Sequence, residues 1–283
     1  MIYLQIQALK IAIKGKHKMF EDLKPHLIEL RKRLFISVVA LIVCVIACFG
    51  FWQEILAFIS APLKLALPDN SSIIFKEVTE PFFTAMKVAF IAGLLVSMPV
   101  VFWQFWLFVA PGLYDDEKKF VLPFVLSATV MFFLGAAFCY YFVLPTGLRF
   151  LIAFGGELFL AMPSIGEFVG FFSKLVFAFG LSFELPVVTF FLAKIGLITD
   201  ASLKGFFRYA VVGIFIFAAV MTPPDIFSQI MLAAPLVLLY VLSIYIAKLV
   251  NPADKELEND DDENDDENDE SQKFSKPVKS ENA

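Results

Sequence analysis

The carboxylates that could do chemistry in this chain stand at three places. Glu29 lies in Pro25-His26-Leu27-Ile28-Glu29-Leu30-Arg31-Lys32-Arg33-Leu34, directly before an apolar run. Asp115, Asp116 and Glu117 are consecutive in a short polar turn, and Glu184 stands alone with nine uncharged residues on either side. Carboxylates at an interface grip a guanidinium through two parallel charge-assisted hydrogen bonds, and partial dehydration strengthens that pairing. Glu29 and Glu117, on one side of a membrane, would form an acidic patch suited to arginine. Each also has a plainer reading: Glu29 as the i,i+4 partner of Arg33, and the acidic run as a solvated turn. Glu184 has no such alternative. A charge at that depth costs about 3 kcal/mol on insertion scales, so the residue is expected to face a cavity or a partner. Lys87, near the end of a span, can snorkel to the surface.

Catalytic chemistry finds little support. His17 and His26 are the only histidines and both precede the first apolar run. No Gly-rich phosphate loop or ligand cluster is present, and Ser-His proteolysis within a membrane needs a histidine at depth. Cys44, Cys48 and Cys139 lie in apolar stretches without His or carboxylate nearby, so they read as small apolar residues. The expectation is a protein that is not an enzyme, with no metal, no cofactor and no nucleic-acid partner.

The elements that must position these carboxylates are membrane spans. Apolar residues make up 59% of the 283, with 35 Phe, and the mean hydropathy is +0.77. About 20 apolar residues cross the hydrocarbon. Leu34 to Trp52 supplies the first span and Val88 to Val109 the second, with its helix starting near Pro81. The third lies within Phe120 to Leu148 and is expected to end before Pro145. Leu175 to Ala193 is the fourth. The apolar region Tyr209 to Ala247 is interrupted at Thr222-Pro223-Pro224-Asp225, where two prolines stop a helix. That leaves about 14 and 22 residues for spans five and six. The fifth is short for an average bilayer, so either the bilayer thins locally or the end of this hairpin stops short of the far side.

Positive charge sets the orientation. Residues 1–33 carry eight Lys and Arg, the second loop has Lys118 and Lys119, and the fourth has Lys194, Lys204 and Arg208; the alternate loops hold Lys64, Lys76, Arg149 and Lys174. Both termini are therefore expected in the cytoplasm, with loops 53–80 and 144–173 outside. Residues 1–18 form a basic N-terminal extension with a weak amphipathic stretch; Met19 as the true start is the alternative. Residues 19–250 form the membrane domain. Twelve of the 28 acidic residues fall between Asp254 and Glu270, so residues 251–283 read as a disordered acidic tail.

Five blocks, in order, resemble the TatC family of twin-arginine translocases: His26-Leu-Ile-Glu-Leu-Arg-Lys-Arg33; Ser60-Ala-Pro-Leu63; Phe108-Val-Ala-Pro-Gly-Leu-Tyr114 followed by Glu117; Phe179-Gly-Leu-Ser-Phe-Glu-Leu-Pro186; and Thr222-Pro-Pro-Asp-Ile-Phe-Ser-Gln229. The resemblance implies an all-α polytopic membrane protein of six spans, glove-shaped with a concave face, with both termini inside and the last two helices short. It implies a subunit of the bacterial cytoplasmic membrane that binds twin-arginine signal peptides of folded cargo. Such a subunit self-associates in a receptor complex, assembles with single-span partners of the TatA and TatB type, and exports cargo using the proton gradient. It makes Glu29 and Glu117 the arginine-binding carboxylates, supported by Arg31, Phe108 and Tyr114. Glu184 and Gln229 become an intramembrane polar surface for partner helices, and Pro62 and Asp225 outer-loop structural or gating residues. Asp115 and Asp116 depart from the family pattern and make the patch more acidic. The alternative is a proton-coupled transporter of small solutes with Glu184 as proton carrier, against which the chain lacks an inverted repeat and a second deep ionisable group.

The orientation is testable without reference to any family. Single cysteines at Asn70 and Ser164 in a cysteine-free background are expected to react with an impermeant thiol reagent added outside the cytoplasmic membrane, and one at Asp116 is not. Labelling at Asp116 alone inverts the topology.

Overall fold

The computed structural model describes residues 2–112, 118–119, 121–155, 159–222 and 225–251, with side chains from His26 onward. Within these the chain is helical, and its only β pairing is one parallel bridge between Ile74 and Ser164. The helices are α1 (Ile2–Phe49), α2 (Trp52–Ala66), α3 (Glu80–Val109), α4 (Val121–Phe138), α5 (Leu144–Gly155), α6 (Ile165–Ser182), α7 (Glu184–Lys194), α8 (Asp200–Met221) and α9 (Ile226–Val250). They supply six spans long and apolar enough to cross a membrane: His26–Phe49, Glu80–Gly112, Val121–Phe154, Ile165–Lys194, Asp200–Met221 and Ile226–Val250. In hydrocarbon every backbone polar group must be bonded within its own segment, which is why this composition yields helices. Residues 1–180 and 181–283 form two compact units.

In the first unit α1 lies along α3. None of the described side chains of α1 is fully buried, so the pair is joined by close backbone approach. A Cβ added at Gly93 would stand 2.6 Å from both the Cα and the N of Val45. Small residues serve this purpose between membrane helices, where apolar surface gains nothing by leaving lipid. The core of the unit is aromatic. Phe132 and Phe179 are fully buried, Phe102 meets Phe132 edge-on at 5.8 Å, and Trp106 stacks on Phe124 at 5.0 Å.

The third span does not end before Pro145. A π-helical turn, Cys139–Val143, follows α4 and leads into α5, with Pro145 in its first turn. A proline there needs no N–H partner, and the π turn absorbs the change of register. The loop at 53–80 is also more ordered than expected, since its first half is α2.

Beyond α2, Ile74 N–H donates to Pro163 at 3.1 Å, and Ile165 N–H to Ile74 at 3.0 Å. Glu80 accepts from Ser164 Oγ, from the Gly166 N–H at 2.7 Å and from the Lys76 N–H at 2.5 Å. Lys76 Nζ pairs with Glu167 at 2.6 Å, and this hydrogen-bonded carboxylate raises the lysine's pKa above its usual value. Ser164 is buried inside this clasp at 3% exposure, so the exposed Leu160 is the better labelling position for that loop.

In the second unit α7 and α8 pack on α9. The fourth span is broken. Helical hydrogen bonding is interrupted at Phe183, Glu184 opens α7, and Pro186 occupies its first turn, where the missing N–H costs nothing. Thr199 caps α8 and Asp225 caps α9, each accepting the backbone N–H of a serine three residues on. The fifth span, α8, has 22 residues and not about 14, because the charged segment Asp200 to Arg208 is helical too, with Lys204 paired to Asp200 at 2.5 Å. Its uncharged part, from Tyr209, remains short. Pro223 and Pro224 lie outside the described residues, but α8 stops and α9 starts on either side of them.

Gly93→Ala is expected to destabilise the protein by about 1–3 kcal/mol through overpacking against the Val45 backbone. Thermal unfolding in detergent checks this, and an unchanged midpoint contradicts the close-approach account.

Candidate functional site

The helical spacing that makes Leu27, Leu30 and Leu34 one exposed stripe turns Glu29 and Arg33 onto another face of α1. There Arg33 Nη2 donates to Glu29 Oε1 at 3.2 Å, and Nη1 reaches Gln104 Oε1 on α3 at a long 3.4 Å. Glu29 keeps 33% of its side-chain exposure and Arg33 24%, while Gln104 is buried at 8%. The plainer reading of Glu29 is thus present as a contact. An i,i+4 pair of this kind contributes only about 0.3–0.5 kcal/mol, so it leaves the carboxylate open to competition. Phe108, half-buried, follows Gln104 by one turn of α3.

Arg31 is exposed, two residues from Glu29 and therefore on another face. The arginine that engages Glu29 is Arg33. Sequence reasoning missed Gln104 altogether, although it is the only residue with a long polar side chain between Val88 and Val109. Tyr114 and Glu117 lie outside the described residues, as do Asp115 and Asp116 and the acidic segment 252–283, and so does the expected pairing of Glu29 with Glu117.

Glu184, at the first position of α7, is buried at 9% exposure, and its Oε1 has no hydrogen-bond partner. Leaving a buried carboxylate oxygen unbonded is costly, although its place at a helix N-terminus favours negative charge. Gln229 donates from Nε2 to Phe215 O at 3.0 Å, tying α9 to α8. Asp225 Oδ1 accepts from Ser228 N–H at 2.7 Å, while Oδ2 is buried without a partner.

Pro62 is buried inside α2, not in a loop. Having no N–H, it cannot bond the carbonyl of Phe58 four residues back. Tyr140 O–H donates to that carbonyl at 2.8 Å, with its ring stacked on Phe58 at 4.5 Å. The side chain from the π turn thus replaces the backbone donor that proline removes. Among the described residues no group of three His, Cys, Asp or Glu is arranged to hold a metal.

Six apolar helices, with polar groups at span ends and at helix breaks, define a polytopic helical membrane protein. Residues 25–235 match the family described as Sec-independent protein translocase protein (TatC). A protein of that name from Campylobacter jejuni is 56% identical over 245 residues, covering 86% of this chain and all of the relative. One from Helicobacter pylori is 54% identical over 242 residues, covering 86% of this chain and 95% of the relative. The crystal structure of the twin-arginine translocase receptor TatC superposes with a TM-score of 0.74 at 37% identity, covering 80% of this chain and 99% of that one. The chain belongs to the TatC family. It is a multi-pass core subunit of the twin-arginine translocase, and the small-solute transporter reading is not favoured.

Tyr140→Phe is expected to cost about 1–3 kcal/mol by leaving the Phe58 carbonyl short of its donor. Adding Pro62→Ala is expected to recover part of the loss, since an alanine N–H can close the helical bond. Equal stability of all three variants in thermal melts would falsify this pairing.

Proposed function

We propose that the chain lies in the bacterial cytoplasmic membrane with both termini in the cytoplasm and receives the paired arginines of signal peptides on folded cargo at Glu29 and Glu117. Six crossings put both ends on one side, and the lysine and arginine distribution names that side. The observation that carries the reading is that the Glu29 carboxylate already holds a guanidinium at 3.2 Å and stays one-third exposed at the end of the first span. It is a position where an arginine fits. In this reading Arg31, Phe108 and Tyr114 border the site.

Single-span partners of the TatA and TatB type dock at the intramembrane polar groups Glu184 and Gln229, and the unbonded Glu184 oxygen supports a polar partner there. Pro62 and Asp225 hold the outer ends of the spans in shape. Copies of the chain associate in a receptor complex, and the proton gradient drives export.

Replacing Glu29 or Glu117 by Ala is expected to weaken binding of a twin-arginine peptide by roughly ten- to a hundredfold, the worth of a charge-assisted pair of about 1.5–3 kcal/mol. In a double-mutant cycle, loss of the carboxylate together with its partnered arginine is expected to cost much less than the sum of the single changes. Strict additivity at both positions, in correctly inserted protein, rules out these residues as the direct arginine site.

A further inference from the structure

Arg33 is stretched between two helices. Its Nη2 holds Glu29 on α1, its Nη1 reaches the buried Gln104 on α3, and its Nε is buried without a hydrogen-bond partner. We propose that Arg33 is an internal competitor for the Glu29 carboxylate, and that Gln104 is the positioning residue that receives Arg33 when a signal-peptide arginine displaces it. The inference rests on reading Glu29 as a receptor carboxylate.

Glu29 is neutralised before any peptide arrives, so an incoming cation trades one ion pair for another and gains little from the charge alone. A lysine gains least, because it lacks the planar fork that makes a guanidinium the better partner. A peptide with a second arginine anchored close by gains more, because the tethered cation competes at high effective concentration. The competitor therefore raises the threshold that every incoming cation must exceed, and a paired-arginine peptide exceeds it most readily.

Displacement also needs somewhere for Arg33 to go. An unpaired, partly dehydrated cation left beside the incoming one would oppose binding. Gln104 supplies a neutral acceptor already within reach, and the unmade Nε bond weighs against the resting arrangement. The i,i+4 pair is itself weak enough to exchange.

The test uses the full-length chain in native-lipid vesicles and two fluorescent signal peptides, one carrying Arg-Arg and one Lys-Arg. Arg33→Gln is expected to tighten binding of both peptides by about twofold, the worth of the i,i+4 pair it removes. Gln104→Leu is expected to weaken both peptides. Gln104→Glu, which offers Arg33 a stronger partner, is expected to tighten both; a merely structural role for Gln104 predicts no gain from either change. Weaker or unchanged binding in Arg33→Gln overturns the proposal. If that variant does not insert, Gln104→Glu decides alone, with tightening supporting it and no tightening overturning it. Glu29→Gln separates the two levels: unchanged binding there refutes the receptor reading itself, whereas lost binding there with no gain in the other variants refutes only the competitor.

Discussion

Hydrocarbon offers no partner to a backbone N–H or C=O, and the rest of this structure follows from that constraint. It requires helices wherever the chain crosses, and it makes each interruption a problem of replacing lost hydrogen bonds. The solutions are individual. Pro62 is answered by the Tyr140 hydroxyl, Pro145 by a π turn, and the reversal between α8 and α9 by the Asp225 cap. Pro186 is placed where no donor is needed. Each solution is local, made by a side chain or a turn packed against the break.

The same constraint governs charge. A carboxylate at a span end is within reach of water and of an arginine, as Glu29 is with Arg33. Deeper, it must find a partner or lose its charge. Glu184 stands at that limit, buried with one oxygen unbonded at the first position of a helix. Under the proposed function, recognition of a charged peptide and docking of partner helices fall to different parts of one chain.

Much of the architecture was legible because hydropathy is a long-range signal. Runs of apolar residues gave the six spans, and the Thr222-Pro223-Pro224-Asp225 stop marked the last hairpin. What was not legible depended on contacts between segments. Pro145 reads as a helix end unless the π turn before it is known. Loop 53–80 reads as irregular because α2 owes its place to α3 and α5, and Glu80 gains its role only when Ser164 and Gly166 arrive from a distant segment. At the site, composition and motif located Glu29, and i,i+4 spacing named Arg33 as its partner. Gln104 was not legible, because it reaches Arg33 only when α3 packs beside α1.

The central claim is that Glu29 and Glu117 touch the paired arginines directly. A photo-crosslinking residue at position 29 or 117, in the full-length chain in native membranes, tests it most directly. The account predicts an adduct from both positions with a twin-arginine signal peptide, suppressed by excess unlabelled peptide and lost when both arginines are lysines. Adducts of equal yield from the twin-lysine peptide, or none from either position in protein that is correctly inserted, would contradict it.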